Sequence, residues 1–231
     1  MALLLFAGLP RMTPPVLPGA WAAMAQLTCV AAISYANVVR HDASRIPPVP
    51  GVPKSAFLTV HTLAWELAHA SSSLLATLGV APAWLASFAH GCDAFVCGLG
   101  GLLFCAYYGL VHGEIASEAA ARKAPSYVFD NHLIHAPTML VPVVVAAAKD
   151  PRALAARPGT AAVVAAAAAY GAAYAAHATA CAARSPRAPY AFMRRLDGPA
   201  KRVGFWGGGV LFAAVPAALA AARLVDRLAA R

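Results

Sequence analysis

Six apolar runs, separated by short polar or proline-bearing segments, divide the 231-residue chain. Each run approaches the length of about 20 residues that an α-helix needs to cross a hydrocarbon core about 30 Å thick. The predicted spans cover residues about 20–39, 56–80, 85–111, 132–148, 160–183 and 203–225. The pattern predicts an all-α, polytopic membrane bundle of about six transmembrane helices, with residues 1–231 forming a single domain.

Polar side chains recur at helical spacing inside four of these runs, so that each of the four has one polar face. The faces consist of Thr59, Thr62, Glu66, His69 and Ser73 in the second run; His90, Asp93, Cys97 and Tyr108 in the third; Asn131, His135 and Thr138 in the fourth; and Tyr170, Tyr174, His177 and Cys181 in the fifth. An ionisable group near mid-membrane costs roughly 2.5–3.5 kcal/mol on insertion scales. We therefore expect these faces to converge on the bundle interior, either as a functional site or as hydrogen bonds that join helices.

The composition agrees with a membrane protein. Hydrophobic residues make up 61% of the chain and charged residues only 12%, whereas soluble domains carry about a quarter charged residues. The net charge of +9 comes mostly from basic residues between the apolar runs. These positions indicate contact with anionic lipid headgroups, so the expected partner is the bilayer and not nucleic acid. The larger share of basic residues lies on the side opposite the amino terminus, which favours an external amino terminus.

All five cysteines fall inside apolar runs, which is typical of buried free thiols and not of a disulfide framework. Cys92 and Cys97 form a C-x4-C pattern, but no second pair completes a zinc site.

A candidate nucleophile and a candidate base lie near the heads of two predicted spans. Thr59 begins the second span and His135 the fourth. Because these spans run in the same direction, both side chains are expected at a similar depth in the bilayer. A hydroxyl becomes a competent nucleophile when a neighbouring imidazole takes its proton. Periodicity alone leaves Thr62 and Ser73 open as alternative nucleophiles.

Other polar residues are candidates for supporting roles, to orient the base or to bind a developing oxyanion. They are Asp130, Asn131 and His132 beside His135, and Glu66, His69 and Asp93 on the polar faces. The eight histidines also leave haem or metal binding open. However, the chain has no H-E-x-x-H motif and no pair of Glu-x-x-His motifs of the di-iron kind. The hydrolytic interpretation requires neither a metal nor another cofactor.

Three segments, in this order and spacing, resemble the androgen-induced gene 1 family. They are "KSAFLTVHTLAW" at 54–65, "FDNHLIHAPTMLVP" at 129–142 and "PYAFMRRLDGPAKRVGFWGGG" at 189–209. The resemblance covers nearly the whole chain. It implies a multispanning threonine hydrolase of the endomembrane system or plasma membrane, which cleaves esters of fatty acids with hydroxy fatty acids.

In that family, catalysis depends on the Thr of Phe-Leu-Thr and the second His of Asn-His-x-x-His. The resemblance therefore implies Thr59 as nucleophile and His135 as base. The chain departs from the family at 136–138, where it reads Ala-Pro-Thr and animal members usually carry hydroxyl residues. His90 and Asp93 have no counterpart in the family pattern. A haem-, metal- or lipid-binding membrane protein, or a non-catalytic regulator with the same fold, is the alternative expectation.

Overall fold

A computed structural model describes residues 20–40, 54–113, 116–117, 125–184, 196 and 198–231. Over these residues the chain forms helices and no strand, which confirms the predicted all-α class. The helices are α1 (Ala20–Arg40), α2 (Leu58–Thr77), α3 (Ala83–Gly91), α4 (Asp93–Ala106), α5 (Pro125–His135), α6 (Pro137–Ala147), α7 (Pro151–Ala155), α8 (Thr160–Arg184), α9 (Pro199–Gly209) and α10 (Val215–Ala229). A 3₁₀ turn precedes α2 at Lys54–Ala56, and π-helical turns follow α4 at Tyr107–Val111 and α9 at Val210–Ala214.

Two of the predicted spans are interrupted once. The third is divided at Cys92 into α3 and α4, and the fourth at Ala136 into α5 and α6. The second interruption has a covalent cause, because Pro137 has no backbone N–H and stands at the first position of α6, where none is needed. His135, the candidate base, is the last residue of α5 and therefore lies at the joint with the first turn of α6.

Three helical segments in the described part of the chain are long and apolar enough to cross a membrane. They are Asp93–Val111, Thr160–Arg184 and Ala200–Ala229, and shorter apolar helices cover Ala22–Ala36 and Asn131–Ala147. The helix α2 has 20 residues but carries the polar face described above. The chain therefore has the character of a membrane protein, and six crossings stay a prediction.

Small residues let the central helices approach closely. The helix α4 packs against both α6 and α10. A Cβ atom at Gly98 would lie 3.2 Å from the Cα atom of Ala218, and one at Gly100 would overlap the main-chain carbonyl oxygen of Thr138. Dispersion contacts between such closely spaced backbones stabilise helix pairs in lipid, where apolar burial alone gives little driving force.

Two expectations about individual residues are wrong. All five cysteines are free, but Cys29 and Cys105 lie on the exposed surface of the bundle and are not buried. The sequence also placed Lys149 among the charges between spans, yet its side chain is buried. In the third segment that resembles the family, residues 189–195 and 197 lie outside the described residues.

Candidate active site

The two side chains expected at equal depth meet in the folded chain. Thr59 is the second residue of α2, and His135 is the last residue of α5. The Thr59 Oγ1 and His135 Nε2 atoms lie 3.1 Å apart, within hydrogen-bond distance. The His135 side chain is buried, at 8% exposure. The structure thus brings together a hydroxyl and an imidazole from two helices that are 76 residues apart in sequence.

The backbone of α5 determines which nitrogen of His135 faces the hydroxyl as a base. His135 Nδ1 lies 2.8 Å from the main-chain oxygen of Asn131, one helical turn earlier. A carbonyl oxygen only accepts hydrogen bonds, so in the neutral ring Nδ1 carries the hydrogen and Nε2 presents its lone pair to Thr59. Asn131 therefore orients the His135 ring through its main chain, and this contact does not require the side-chain amide of Asn131.

Aromatic residues from the π-helical turn complete the packing around both histidines of α5. The Tyr107 ring stacks on the His135 imidazole with centroids 3.8 Å apart and planes 7° from parallel. Its neighbour Tyr108 places its hydroxyl 2.7 Å from His132 Nδ1. A π-helical turn is wider than an α-helical turn and recurs at functional sites. The helical periodicity singled out Tyr108 and missed Tyr107, because it did not show which face of α4 packs against α6.

Side chains of α2 and α8 hold the turn that leads into the candidate nucleophile. The main-chain oxygen of Ser55 lies 2.7 Å from His61 Nε2 and 3.0 Å from His177 Nε2. The Tyr174 hydroxyl donates to the next main-chain oxygen, that of Ala56, over 2.9 Å. Three donors thus fix two consecutive carbonyls a few residues before Thr59. His177, whose role the sequence left open, therefore helps to position the start of α2 through its contact with the Ser55 carbonyl.

The hydroxyl–imidazole pair opens onto a cavity of about 200 Å³. Residues of α2, α4, α5, α8, α9, α10 and both π-helical turns line it, and most are aliphatic or aromatic. Phe95 and Leu99 form part of the wall from α4, and Val210 part of the wall from the second π turn. Such a lining, with few polar groups, suits an apolar ligand that places one polar bond beside the pair.

None of the five expected supporting residues Asn131, His132, Glu66, His69 and Asp93 lines the cavity, and the last three lie away from the hydroxyl–imidazole pair. His69 Nε2 is 2.7 Å from Asp93 Oδ1, and Lys149 Nζ is 2.7 Å from the same oxygen. Lys149 also donates to the main-chain oxygen of Ala89 over 2.6 Å. Glu66 is fully buried on the same face of α2 as His69. The polar faces therefore do not converge on one interior site, and they form two separate clusters.

The long stem of Lys149 explains why the sequence misplaced it. The residue follows α6 in a basic, proline-bearing segment, but its ammonium group reaches inward to the Asp93 carboxylate. Burying a charge is tolerated when it has a counter-charge and further hydrogen bonds. Within the ranges that the structure describes, no group of three or more His, Cys, Asp or Glu side chains could hold a metal ion.

No protein-family model matches this chain, and no curated protein or solved structure is significantly similar to it. The assignment of a function therefore depends on the geometry of the site and on the chemistry of its residues.

Proposed function

We propose that this chain is a six-span integral membrane hydrolase of lipid carboxylic esters, with Thr59 as nucleophile and His135 as general base. The single observation that carries the proposal is the 3.1 Å contact between Thr59 Oγ1 and His135 Nε2 at the edge of an apolar cavity. A half-buried hydroxyl beside a correctly oriented imidazole is the arrangement that nucleophilic acyl transfer needs. A helix-to-helix hydrogen bond alone would not require an adjoining cavity.

The first half of the reaction forms an acyl-enzyme. Thr59 Oγ attacks the ester carbonyl carbon while His135 Nε2 takes the hydroxyl proton. The tetrahedral intermediate collapses, the bond to the leaving alkoxide breaks, and His135 returns the proton to that alkoxide. In the second half, water attacks the acyl group on Thr59 and His135 again carries the proton. The hydrogen bond from His135 Nδ1 to the Asn131 carbonyl keeps the ring in the required tautomer and supports the imidazolium that forms.

The position of the nucleophile also supports stabilisation of the oxyanion. Thr59 is the second residue of α2. The helix dipole favours negative charge at this end of α2. The carbonyl oxygen of a substrate attacked by Thr59 develops its charge beside this terminus. Electrostatic stabilisation of this kind supplies a large part of the rate in acyl transfer.

The cavity lining supports a substrate with long apolar chains on both sides of the ester bond. The motif resemblance favours fatty-acid esters of hydroxy fatty acids, whose branched chains enter laterally from the bilayer. An endomembrane or plasma-membrane location follows from the same resemblance. The residues proposed for this reaction use no metal and no organic cofactor. The three long apolar helices, together with the shorter apolar ones and α2, supply candidates for the six spans.

The proposal is tested with purified Thr59→Ala, Thr59→Ser and His135→Ala proteins in nanodiscs. We expect His135→Ala to lower kcat by about 10²–10⁴-fold, the range that general acid–base catalysis supplies. Thr59→Ala should lose both turnover and labelling by a fluorophosphonate probe, and Thr59→Ser should retain both, because a primary hydroxyl still attacks. The apolar cavity would also suit a lipid-binding protein without catalysis. Unlabelled, inactive wild-type protein that binds the ester would support that second function and overturn the hydrolase.

A further inference from the structure

The second polar cluster, here called the interior polar group, has unsatisfied hydrogen-bonding capacity. Its members are at most 7% exposed: Glu66, His69, Ser73, His90, Asp93 and Lys149. Seven of its atoms have no hydrogen-bond partner among the described residues, namely both carboxylate oxygens of Glu66, Nδ1 of His69, Oγ of Ser73, both ring nitrogens of His90 and Oδ2 of Asp93. Buried polar atoms without a partner destabilise a fold, and internal water is their usual partner outside the protein itself.

The chemistry of these atoms selects water over other small ligands. The carboxylate oxygens are acceptors, whereas the imidazole nitrogens and the Ser73 hydroxyl donate or accept. Water matches such a mixture because one molecule makes two to four hydrogen bonds in either sense, as a rule about three. Lys149 already supplies a cation to Asp93. The positions described by the structure also offer no three ligands that could hold a metal ion.

The interior polar group extends from the middle of α2 to the end of the bundle remote from the nucleophile. With a rise of about 1.5 Å per residue, Glu66 lies about 10 Å and His69 about 15 Å along α2 from Thr59. Buried Thr62 lies between Thr59 and Glu66 on the same polar face. At the other end, Lys149 follows α6 and is three residues from the exposed Arg152. The polar face thus connects the nucleophile with the opposite end of the bundle.

We propose that the interior polar group binds a chain of water molecules and delivers the hydrolytic water to the acyl-enzyme. This inference rests on the proposed function. Because the cavity beside Thr59 is apolar and receives the lipid chains, the polar face of α2 offers water a separate route through the bundle interior. In the step it serves, the water oxygen bonds to the acyl carbon and its proton passes to His135 Nε2. The bond from carbon to Thr59 Oγ then breaks, the proton returns to Oγ, and the free fatty acid leaves.

Pre-steady-state kinetics with a long-chain p-nitrophenyl ester separate the two halves of the reaction. We expect Glu66→Leu to keep the burst of p-nitrophenol within about twofold and to lower steady-state turnover about tenfold, the equivalent of about one lost hydrogen bond to water. Mass spectrometry of Glu66→Leu during turnover should show that acylated Thr59 accumulates. Glu66→Gln, which still bonds water, should stay within about threefold of wild type on the same scale. Ser72→Ala is the matched control, because Ser72 is buried on α2 but bonded to the His69 carbonyl.

The outcomes separate the two proposals. If Glu66→Leu lowers the burst and the turnover equally, or lowers neither, the water route is wrong while the hydrolase proposal stands. If wild-type protein shows neither burst nor turnover, the hydrolase proposal itself fails. The water route is also wrong if Ser72→Ala slows deacylation as much as Glu66→Leu does.

A readout independent of activity uses hydroxyl-radical footprinting of the wild-type protein in H₂¹⁸O. Radicals formed from bound water label the side chains next to it. We expect label on His69 and His90, although both are buried, and little on Met24, which is 1% exposed and contains an easily oxidised sulfur. Unlabelled His69 and His90 would overturn the proposal even if the Glu66 variants fail to fold.

Discussion

Replacing Gly100 by alanine tests whether the crossing of α4 and α6 positions His135, the proposed base. A Cβ atom at this position would overlap the main-chain oxygen of Thr138. Thr138 in turn donates its hydroxyl to the main-chain oxygen of His135 over 2.7 Å. A side chain that pushes the two backbones apart therefore acts on the joint that holds His135. Because the obstructing atom belongs to the backbone, no side-chain rotation can relieve the overlap.

Gly101 is a matched control one residue further along the same helix. A Cβ atom there would meet no other atom within 4 Å. Both alanine variants gain up to about 1 kcal/mol of helix propensity, and only Gly100→Ala adds an overpacking cost of about 1–3 kcal/mol. We therefore expect Gly100→Ala to be less stable than Gly101→Ala by about 1–3 kcal/mol. For a chain of this size each kcal/mol corresponds to about 2–4 °C in Tm.

The assay combines scanning fluorimetry in detergent micelles with kcat/KM for a long-chain ester. We expect Gly100→Ala to lose about ten- to a hundredfold in kcat, since a misplacement of about 1 Å can reduce a rate about 10²-fold. Gly101→Ala should match wild type. Equal Tm values for the two variants would refute the close approach of α4 and α6. A destabilised Gly100→Ala protein with full kcat would refute the link from Thr138 to the base.

Two further predictions concern residues outside the reacting pair. Tyr174→Phe removes the hydrogen bond to the Ala56 carbonyl, so the turn before Thr59, the proposed nucleophile, loosens. We expect kcat to fall about tenfold with KM nearly unchanged, the pattern of an interaction realised in the transition state; an unchanged kcat would show that the turn needs no such support. Asp93→Asn leaves the buried Lys149 ammonium without its counter-charge, and we expect thermal unfolding to reveal a loss of about 3–5 kcal/mol. Asp226→Asn removes the carboxylate of an ion pair, and that carboxylate is 57% exposed. This variant should lose less than about 1 kcal/mol of stability, and equal losses in the Asp93 and Asp226 variants would contradict the buried pair.

The sequence alone determined which residues share a depth and a helix face. The six apolar runs predict that spans two and four run in the same direction, and the positions of Thr59 and His135 within their runs predict a common level, which agrees with the 3.1 Å between the two side chains. Depth along a helix and helix face both follow from residue counts, through the rise and the rotation per residue. The hydrogen bond from His135 Nδ1 to the Asn131 carbonyl is also local, because it joins neighbouring turns of one helix.

Only the tertiary structure decided which neighbours complete each cluster. Tyr107 stacks on His135 because it lies two turns after Gly100, on the continuation of the face of α4 that packs against α6. Lys149 pairs with Asp93 because a flexible stem reaches across the packing of separate helices. Helical periodicity gives the direction of a side chain relative to its own axis, but contact depends on how the axes are rotated and spaced relative to one another. That rotation follows from the packing of small residues such as Gly98 and Gly100, which no count along the sequence supplies.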